Sequence, residues 1–563
     1  MLEKKPWLKY YDPGVPETIK YPQIPLQQLL HVAAASMPHK ASTSFFGTEL
    51  TFRQIRSQML RMANALIELG VKKGDRVALA LPNCPQYVIA YYGVLSAGAI
   101  VVNINPMYTF DELKFMLENA GAETLITFDG AMKVMRPLAT TLKLKNVIVT
   151  CVTDYVTGMS VSTSRSLKLE SGWHNYSELL ADSPCESVPN IEFKSSDIAL
   201  IQFTGGTTGL PKGAMLSHGN LIAAVFQGSH WGDFITAYVP ITERNVISVI
   251  PYFHSFGNTC CMNWSMRNAA TQILFPRFVP DEFLDTIAKF EKITYFPSVP
   301  TMITAILSNP KTAALDLGAR IGLISSGGAP MPKELIQKVK DMGIFFTEGW
   351  GMSETVSVGI ANPILRQKIG SIGTPEMDNE VRLVDLETGL VDVSLGEPGE
   401  IVIKGPSIMQ GYWNNPEETA NQIKDGWLST GDIGQMDEEG YIYIVDRKKD
   451  MIIAGGFNIY PREVDEVLYQ HPQIAEAVSA GIPDAYRGET VKAFIVLKPG
   501  ETATDKEIID FCKTKLAPYK VPKLIEFRAE LPKSAVGKIL RKILRDEEIA
   551  KKEIIVDVTD RGK

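Results

Sequence analysis

The sequence predicts an α/β protein: two α/β subdomains with parallel-rich sheets and a small β-barrel, followed by a small α+β domain. In residues 26–145 and 197–350, helical periodicity alternates with short apolar segments, which is typical of parallel sheets covered by helices. Residues 368–445 instead contain short strands between Gly-rich turns, as in a β-barrel or sandwich. After Asp446 the pattern changes to a compact mixture of helices and strands.

Individual elements follow from local patterns. Residues 50–70 (LTFRQIRSQMLRMANALIELG) place apolar side chains at helical spacing, and a short buried strand is expected directly after them. Residues 87–106 are uncharged but interrupted by glycine, asparagine and proline, so we expect a buried helix and strand instead of a membrane span. The Ser/Thr-rich residues 152–195 predict a surface excursion. Pro461 precedes apolar residues at helical spacing, so a helix is expected to begin there.

Composition excludes several classes of protein. The 563 residues are 45% hydrophobic and 21% charged, with a net charge of −7 that gives no basic field for nucleic acid. The six cysteines lack the paired spacing of a zinc site and are expected to be reduced thiols. The amino-terminal stretch is polar and contains proline, unlike a secretion signal. We therefore expect a cytoplasmic protein without a nucleic-acid partner or a transmembrane span.

Residues 203–220 (FTGGTTGLPKGAMLSHGN) suggest a phosphate-binding loop, because they combine glycines, threonines and one lysine. The Walker pattern G-x4-G-K-[ST] does not fit, since Lys212 follows Pro211 and precedes Gly213. The flanking segments have strand character, and a helix becomes plausible only near Asn220. The prediction is a strand–loop–strand device whose backbone N–H groups and threonine hydroxyls donate hydrogen bonds to phosphate oxygens.

Four further sequence blocks accompany this loop. The five blocks are TGGTTGLPKG (204–213), GWGMSE (349–354), STGD (429–432), DRKKDMIIAGGFNIYPREVDEV (446–467) and PKSAVGKILRK (532–542). Together they resemble the AMP-forming acyl-CoA synthetase family, and the resemblance extends from about residue 25 to residue 545. It implies that a carboxylate joins the α-phosphate of ATP, pyrophosphate leaves, and the acyl group then passes to the thiol of CoA. Both nucleophiles come from substrates, so no catalytic triad is needed.

The resemblance also implies the site residues. Lys538 serves adenylation, Glu354 binds Mg2+ together with Thr204, and His254 lies as a lid beside the substrate carboxylate. Trp350 stacks on adenine and Ser353 binds the α-phosphate. The implied ATP and AMP contacts are Thr204, Gly205, Gly206, Thr207, Thr208, Lys212, Gly328, Ala329, Glu348, Gly349, Trp350, Gly351, Ser353, Asp432, Arg447 and Lys449. The implied CoA contacts are Gly455, Gly456 and Phe457.

The domain organisation implied by the resemblance has two parts. An adenylation domain spans residues 1–445, with 368–445 as its β-barrel subdomain, and a mobile lid domain spans residues 448–563. Residues 446–447 form the hinge, with Asp446 as the pivot. The lid is expected to rotate, because Lys538 and the CoA-contacting residues serve different half-reactions and one face does not present both at once.

The acyl substrate is constrained less tightly. His254 stands where peptide-synthetase domains carry an aspartate for the ammonium group, and burying an uncompensated ammonium is costly, which argues against amino acids. Residues 225–305 form the implied acyl pocket and are apolar, small or soft, which suits an aliphatic or aromatic acid. Residues 425–467 are most similar to bacterial long-chain fatty-acid–CoA ligases. Medium-chain and aryl acids stay open, as do transfer to a carrier protein, peripheral membrane contact and the choice between monomer and homodimer.

Overall fold

The computed structural model describes residues 5–156, 169–183, 185–204, 211–454, 457–484, 487–534 and 537–560, with only the helical backbone for 552–560. The chain divides into two compact units. The described residues of 3–380 and 404–428 form the first unit, and those of 381–403 and 429–563 form the second. The fold class predicted from the sequence is confirmed: the first unit is α/β with parallel-rich sheets, and a separate α+β unit follows.

The first unit contains a large mixed sheet whose central strands are parallel and whose outer strands are antiparallel. Its strands, in spatial order, are Thr374–Pro375, Ile360–Ala361, Phe345–Trp350, Ile321–Ser326, Ile293–Ser298, Asn245–Ser248, Thr271–Leu274, Ala41–Phe45 and Thr48–Thr51. Parallel pairing brings the carboxyl ends of neighbouring strands to one edge, which is where ligands bind in open α/β sheets.

A second sheet of the first unit carries the strands on either side of the predicted phosphate loop. Its spatial order is Trp173–Asn175, Asn146–Thr150, Thr124–Phe128, Arg76–Ala80, Ile100–Asn103, Ile198–Thr204 and Lys212–Ser217. All neighbours pair in parallel except the last two strands, which are antiparallel with Thr204 opposite Lys212. A helix then begins at His218. The two predicted flanking strands are therefore confirmed, and Lys212 begins a strand, whereas the Walker arrangement would place it at the start of a helix. Residues 205–210 of the loop lie outside the described residues.

Helices cover these sheets. In the first unit they are Gln28–Ser36, Phe52–Glu68, Pro85–Ser96, Phe110–Ala120, Met132–Leu142, Tyr176–Asp182, His218–Trp231, Asp233–Thr236, Trp264–Arg267, Pro280–Ile287, Pro300–Leu307, Leu317–Arg320, Lys333–Asp341 and Pro416–Gln422. A π-helix spans Gly257–Asn263, and short 3-10 turns include Pro6–Tyr10 and Ser353–Thr355. The helix predicted in residues 50–70 begins at a capping box, in which the Thr51 hydroxyl accepts from the backbone N–H of Gln54.

The second unit combines two small sheets with three described helices. One sheet contains Glu380–Val384, Gly399–Lys404, Trp427–Met436 and Ile442–Arg447. The other has the order Phe457–Ile459, Ile452–Ala454, Gly488–Leu497 and Ile474–Asp484, with Leu524–Phe527 beside Gly488–Leu497. The helices are Pro461–Leu468, Asp505–Lys513 and Arg541–Asp560. The predicted helix start at Pro461 is confirmed.

The structure also bears on two expectations from composition. Within the described ranges, no helix is both long enough and apolar enough to cross a bilayer. The six cysteines are all unpaired thiols, as their spacing predicted. Of the predicted surface excursion at 152–195, residues 157–168 and 184 lie outside the described residues.

Candidate active site

The carboxyl ends of neighbouring parallel strands place several predicted nucleotide contacts close together in the first unit. Gly328 and Ala329 follow the strand Ile321–Ser326, while Glu348, Gly349 and Trp350 end the strand beside it and Gly351 follows. The backbone N–H of Met331 donates to Glu348 Oε1 at 3.0 Å, which fixes the loop after the first strand against the second. Gly328 has a φ of +78°, a left-handed conformation that favours glycine.

Glu354 and Ser353 lie in the 3-10 turn Ser353–Thr355. The Glu354 side chain is buried, with 5% of its residue surface exposed, and its Oε1 accepts a 2.8 Å hydrogen bond from the Tyr412 hydroxyl. The Cα atoms of both strands that flank the predicted phosphate loop come within 8 Å of this turn. Thr204 is the last residue of one of those strands.

His254 lies on the segment between the strand Asn245–Ser248 and the π-helix Gly257–Asn263. Its Nδ1 accepts from the backbone N–H of Phe256 at 3.2 Å. The neighbouring Ser255 hydroxyl lies 2.6 Å from the Ser357 hydroxyl and 3.5 Å from that of Ser353. Buried Ser255 therefore connects His254, the predicted lid, to Ser353, the predicted ligand of the α-phosphate.

Lys212 begins the strand after the predicted loop and forms an ion pair with Glu418. Its Nζ also lies 5.3 Å from the centre of the Tyr412 ring. Because Tyr412 contacts both Lys212 and Glu354, two residues predicted from separate blocks meet at one aromatic side chain. The predicted contacts Gly205, Gly206, Thr207 and Thr208 lie outside the described residues.

In the second unit, Asp432 and Arg447 lie opposite each other on adjacent antiparallel strands. Arg447 Nε is 3.0 Å from Asp432 Oδ1, and Asp432 is buried. A carboxylate is a strong hydrogen-bond acceptor, which suits hydrogen bonds from a ligand's hydroxyl groups. Lys449, two residues beyond Arg447, has an exposed side chain.

Lys538 shares the electrostatic environment of this pair. The positive charge of Arg447, and then burial, lower the pKa of Lys538 from 10.5 to about 7, against the opposing effects of Asp432 and Asp450. The Ser534 N–H donates a 2.8 Å hydrogen bond to the Lys538 carbonyl. The structure therefore brings together Lys538, Arg447 and Asp432, which come from three separated blocks.

Asp446 is buried and held from several directions. Its carboxylate accepts from the backbone N–H groups of Arg447 and Arg462, both at 2.7 Å. Burial raises the pKa of Asp446, and the Arg541 guanidinium 3.8 Å away opposes that effect. Arg541 also binds Asp450 at 3.0 Å and Asp465 at 2.8 Å. The segment carrying Lys538 is thus anchored to the residue predicted as the hinge, and the hinge role itself stays a prediction.

Of the predicted CoA contacts, only Phe457 is described. Its ring stacks on Tyr519 with centroids 4.6 Å apart, and 53% of its surface is exposed. Gly455 and Gly456 lie outside the described residues.

A family model described as AMP-binding enzyme matches residues 30–413, more than half of the chain. The chain belongs to this family of AMP-binding enzymes. A second model, described as the AMP-binding enzyme C-terminal domain, matches residues 463–538. The family inferred from the five sequence blocks is therefore confirmed.

This AMP-binding enzyme is similar to proteins that act on several acids. It is 44% identical over 561 residues to the long-chain-fatty-acid–CoA ligase of Bacillus subtilis (strain 168), covering 97% of this chain and 99% of that protein. It resembles the crystal structure of the anthranilate CoA ligase AuaEII in complex with anthranoyl-AMP, with a TM-score of 0.84, 28% identity, and coverage of 94% and 98%. The o-succinylbenzoate CoA synthetase MenE from Bacillus subtilis, in complex with ATP and magnesium ion, has a TM-score of 0.76, 27% identity, and coverage of 92% and 99%.

Sequence reasoning missed several residues of this AMP-binding enzyme that contact the predicted site. Tyr412 and Glu418 lie in GYWNNPEET, which carries no catalytic pattern of its own. Ser255 is adjacent to His254, and Arg541 lies three residues after Lys538 in the same sequence block, but neither was predicted as a site residue. Only Ser255 could have been suspected from the sequence, because it and His254 are polar residues between apolar ones.

Gly257, at the start of the π-helix, packs closely against the backbone that precedes His254. A Cβ at this position would lie 2.3 Å from the carbonyl oxygen of Pro251 and 2.4 Å from that of Ile250. We expect Gly257→Ala to displace the segment and raise the KM for the carboxylic acid about tenfold or more, at a cost of about 1–3 kcal/mol in unfolding free energy. Steady-state kinetics with varied acid, together with thermal unfolding, measure the two effects.

Gly318→Ala is the matched control. Gly318 lies in the helix Leu317–Arg320, outside the implied acyl pocket, and a Cβ there would clash with the carbonyl oxygen of Met342. This variant should also lose stability, because its backbone has to shift, but should keep the wild-type KM for the acid. An unchanged KM for the acid in Gly257→Ala would contradict the positioning role of the segment.

Proposed function

We propose that this chain is an AMP-forming fatty-acid–CoA ligase and that long-chain fatty acids are its preferred acids. One observation carries the proposal: the identity of 44% to the long-chain-fatty-acid–CoA ligase of Bacillus subtilis extends over nearly the whole of both chains. Two groups of residues support it, because they supply the charges that the adenylation of a carboxylate requires. They are Lys212 and Glu354 in the first unit, and Asp432, Arg447 and Lys538 in the second.

The proposed reaction has two steps. In the first, a carboxylate oxygen of the acid attacks the α-phosphorus of ATP, and the bond from that phosphorus to the pyrophosphate oxygen breaks. In the second, the sulfur of CoA attacks the acyl carbonyl carbon, its proton passes to solvent, and AMP leaves. The first step brings together reactants of like charge, so the protein contributes mainly by positioning them and neutralising charge.

Each site residue keeps the role that the resemblance implies. Trp350 stacks on adenine, Asp432 accepts from the ribose hydroxyls, and Ser353 donates to the α-phosphate. Lys212 binds the β- and γ-phosphates, whereas Lys538 neutralises charge at the reacting carboxylate and α-phosphate. The other proposed nucleotide contacts are Thr204, Gly205, Gly206, Thr207, Thr208, Gly328, Ala329, Glu348, Gly349, Gly351, Arg447 and Lys449.

Mg2+ is the metal that these residues fit. The buried carboxylate of Glu354 and the hydroxyl of Thr204 are hard oxygen donors, and Mg2+ takes one or two such groups together with phosphate oxygens and water. Such an ion would neutralise charge on the phosphate oxygens. The described residues contain no cluster of three or more His, Cys, Asp or Glu side chains that could hold a metal ion by itself.

The acyl and thiol partners complete the proposal. Residues 225–305 contribute buried apolar and soft side chains, among them Cys261, Met262 and Trp264, which suit an aliphatic chain. His254 acts as the lid beside the carboxylate. CoA is the proposed acceptor, with Gly455, Gly456 and Phe457 contacting its arm after the lid domain rotates about Asp446. We place the enzyme in the cytoplasm, where ATP and CoA are available.

An AMP-release assay tests the proposal. Fatty acids from short to long, benzoate and coumarate are each supplied with ATP and Mg2+, with and without CoA. We expect CoA-dependent AMP and pyrophosphate, with the highest kcat/KM for long-chain acids. Release of ADP, or no AMP with any acid, would contradict the reaction.

The same assay separates the alternatives. Structural similarity to an anthranilate CoA ligase favours an aryl acid as the second candidate, and a higher kcat/KM for benzoate or coumarate would select it. A medium-chain optimum would correct the chain length alone. Acyl-AMP that accumulates without turnover by CoA would indicate transfer to a carrier protein.

A further inference from the structure

Residues 409–419 (MQGYWNNPEET), which we name the bridging segment, connect two parts of the nucleotide site in the first unit. The backbone N–H of Met409 donates to the Glu354 carbonyl at 2.8 Å. Further along, the Trp413 N–H donates to the Gly213 carbonyl at 2.7 Å, next to Lys212. The bridging segment therefore ties the strand after the phosphate loop to the turn that carries Glu354.

The bridging segment has a fixed shape. Gly411 has a φ of +137°, and a Cβ there would lie 2.6 Å from Thr419 Cγ2, so the chain turns back on itself in close contact. The Tyr412 N–H donates to Thr419 Oγ1 at 2.8 Å, and Asn415 Oδ1 accepts from the Glu418 N–H at 3.1 Å. Glu418 thus lies in the first turn of the helix Pro416–Gln422, which Asn415 caps.

Glu418 is placed to compete with phosphate for Lys212. The two side chains form an ion pair, and each keeps about 30% of its surface exposed: 31% for Lys212 and 30% for Glu418. Lys212 also lies over the face of the Tyr412 ring. Tyr412 is buried, so its ring stays in place when the Lys212 side chain moves. A partly exposed ion pair of this kind contributes little stability, so a more highly charged anion can replace its carboxylate.

We infer that Glu418 is an internal counter-ion of Lys212, which the terminal phosphates of ATP displace when the nucleotide binds. This inference rests on the proposed function, because it takes Lys212 as the ligand of the β- and γ-phosphates. Glu418 neutralises Lys212 while the site is empty and repels the phosphates until the pair breaks. Tyr412 supports Lys212 through this exchange, and its hydroxyl stays on Glu354.

Calorimetric titration of ATP, pyrophosphate and AMP at fixed ionic strength tests this inference. Glu418→Gln should bind ATP and pyrophosphate about two- to fivefold more tightly than the wild type, since no ion pair has to break. AMP carries no β- or γ-phosphate, so its affinity should be unchanged. A merely structural role for Glu418 predicts weaker or equal binding of all three ligands.

Two further variants sharpen the test. Glu417→Gln removes the same charge one residue earlier, from an exposed side chain, and should change no affinity. In a Lys212→Gln background, Glu418→Gln should no longer tighten ATP binding, because the two substitutions act on one pair. Thermal unfolding confirms that each variant is folded.

The outcomes separate this inference from the proposed function. If the wild type binds neither ATP nor pyrophosphate, the proposed function fails, and the inference fails with it. If the wild type binds ATP but Glu418→Gln binds it no more tightly, only the counter-ion role is overturned. Equal tightening of ATP and AMP would also overturn it, because the effect would then not involve the terminal phosphates.

Discussion

Replacing Lys538 by alanine is expected to slow acyl-adenylate formation by about 10²- to 10³-fold, the usual effect of losing one group that stabilises transition-state charge. Transfer of the acyl group from supplied acyl-AMP to CoA should stay within about threefold of the wild-type rate. That step does not break the phosphoanhydride bond between the α- and β-phosphates, so it does not need the lysine to stabilise the charge that this cleavage develops. Pyrophosphate exchange into ATP measures the first step, and acyl-CoA formation from synthetic acyl-AMP measures the second.

Lys542→Ala is the control for Lys538→Ala. It removes a lysine four residues further along the same basic segment and should leave both half-reactions near their wild-type rates. Equal losses in the two half-reactions of Lys538→Ala would refute the assignment of this lysine to adenylation. Equal losses in Lys542→Ala would show that the segment acts through its total charge.

The fold was predictable because its main features are local. Helical periodicity in residues 50–70 and strand character on both sides of the phosphate loop are each visible within about twenty residues. The helix start predicted at Pro461 is confirmed, and the capping box that the structure shows at Thr51 is another local signal of the same kind. Local patterns of this kind determine which elements form but not which distant elements meet.

Residues that act through long-range contacts were not predictable in the same way. Glu418 meets Lys212 across 206 positions, and Tyr412 meets Glu354 across 58 positions. Neither pair is encoded by any local pattern, because a single tyrosine or glutamate in the sequence does not indicate which distant residue it contacts. The sequence blocks identified the residues expected to touch substrates, whereas the residues that hold them became visible only from the packing.

The domain boundary has a similar explanation. The family resemblance implies a hinge at residues 446–447, where the sequence pattern also changes. In the structure, the strands Trp427–Met436 and Ile442–Arg447 pair as far as Asp432 and Arg447, so residues 429–445 group with the second unit. Sheet pairing continues through the position where the composition changes, and the pivot at Asp446 stays a prediction.

The pH dependence of adenylation is expected to reveal the low pKa of Lys538. The Arg447 charge and burial lower that pKa to about 7 in the nucleotide-free enzyme, and the reaction needs the lysine protonated. Below pH 7 the charge is present, so kcat/KM for ATP should be constant there with respect to this group. Above pH 7 it should fall about tenfold per pH unit, because kcat/KM reports ionisation in the free enzyme.

Three variants assign this pH break to Lys538. Arg447→Gln removes the largest cause of the lowered pKa, so the break should move to higher pH, whereas Lys449→Gln removes only a minor cause and should move it little. Lys538→Arg keeps a positive charge throughout the accessible range, so its rate should be lower but should show no break. Pyrophosphate exchange measured from pH 6 to pH 9 reports all three. A break that persists unchanged in Lys538→Arg would mean that another group titrates, because an arginine does not lose its proton in this range.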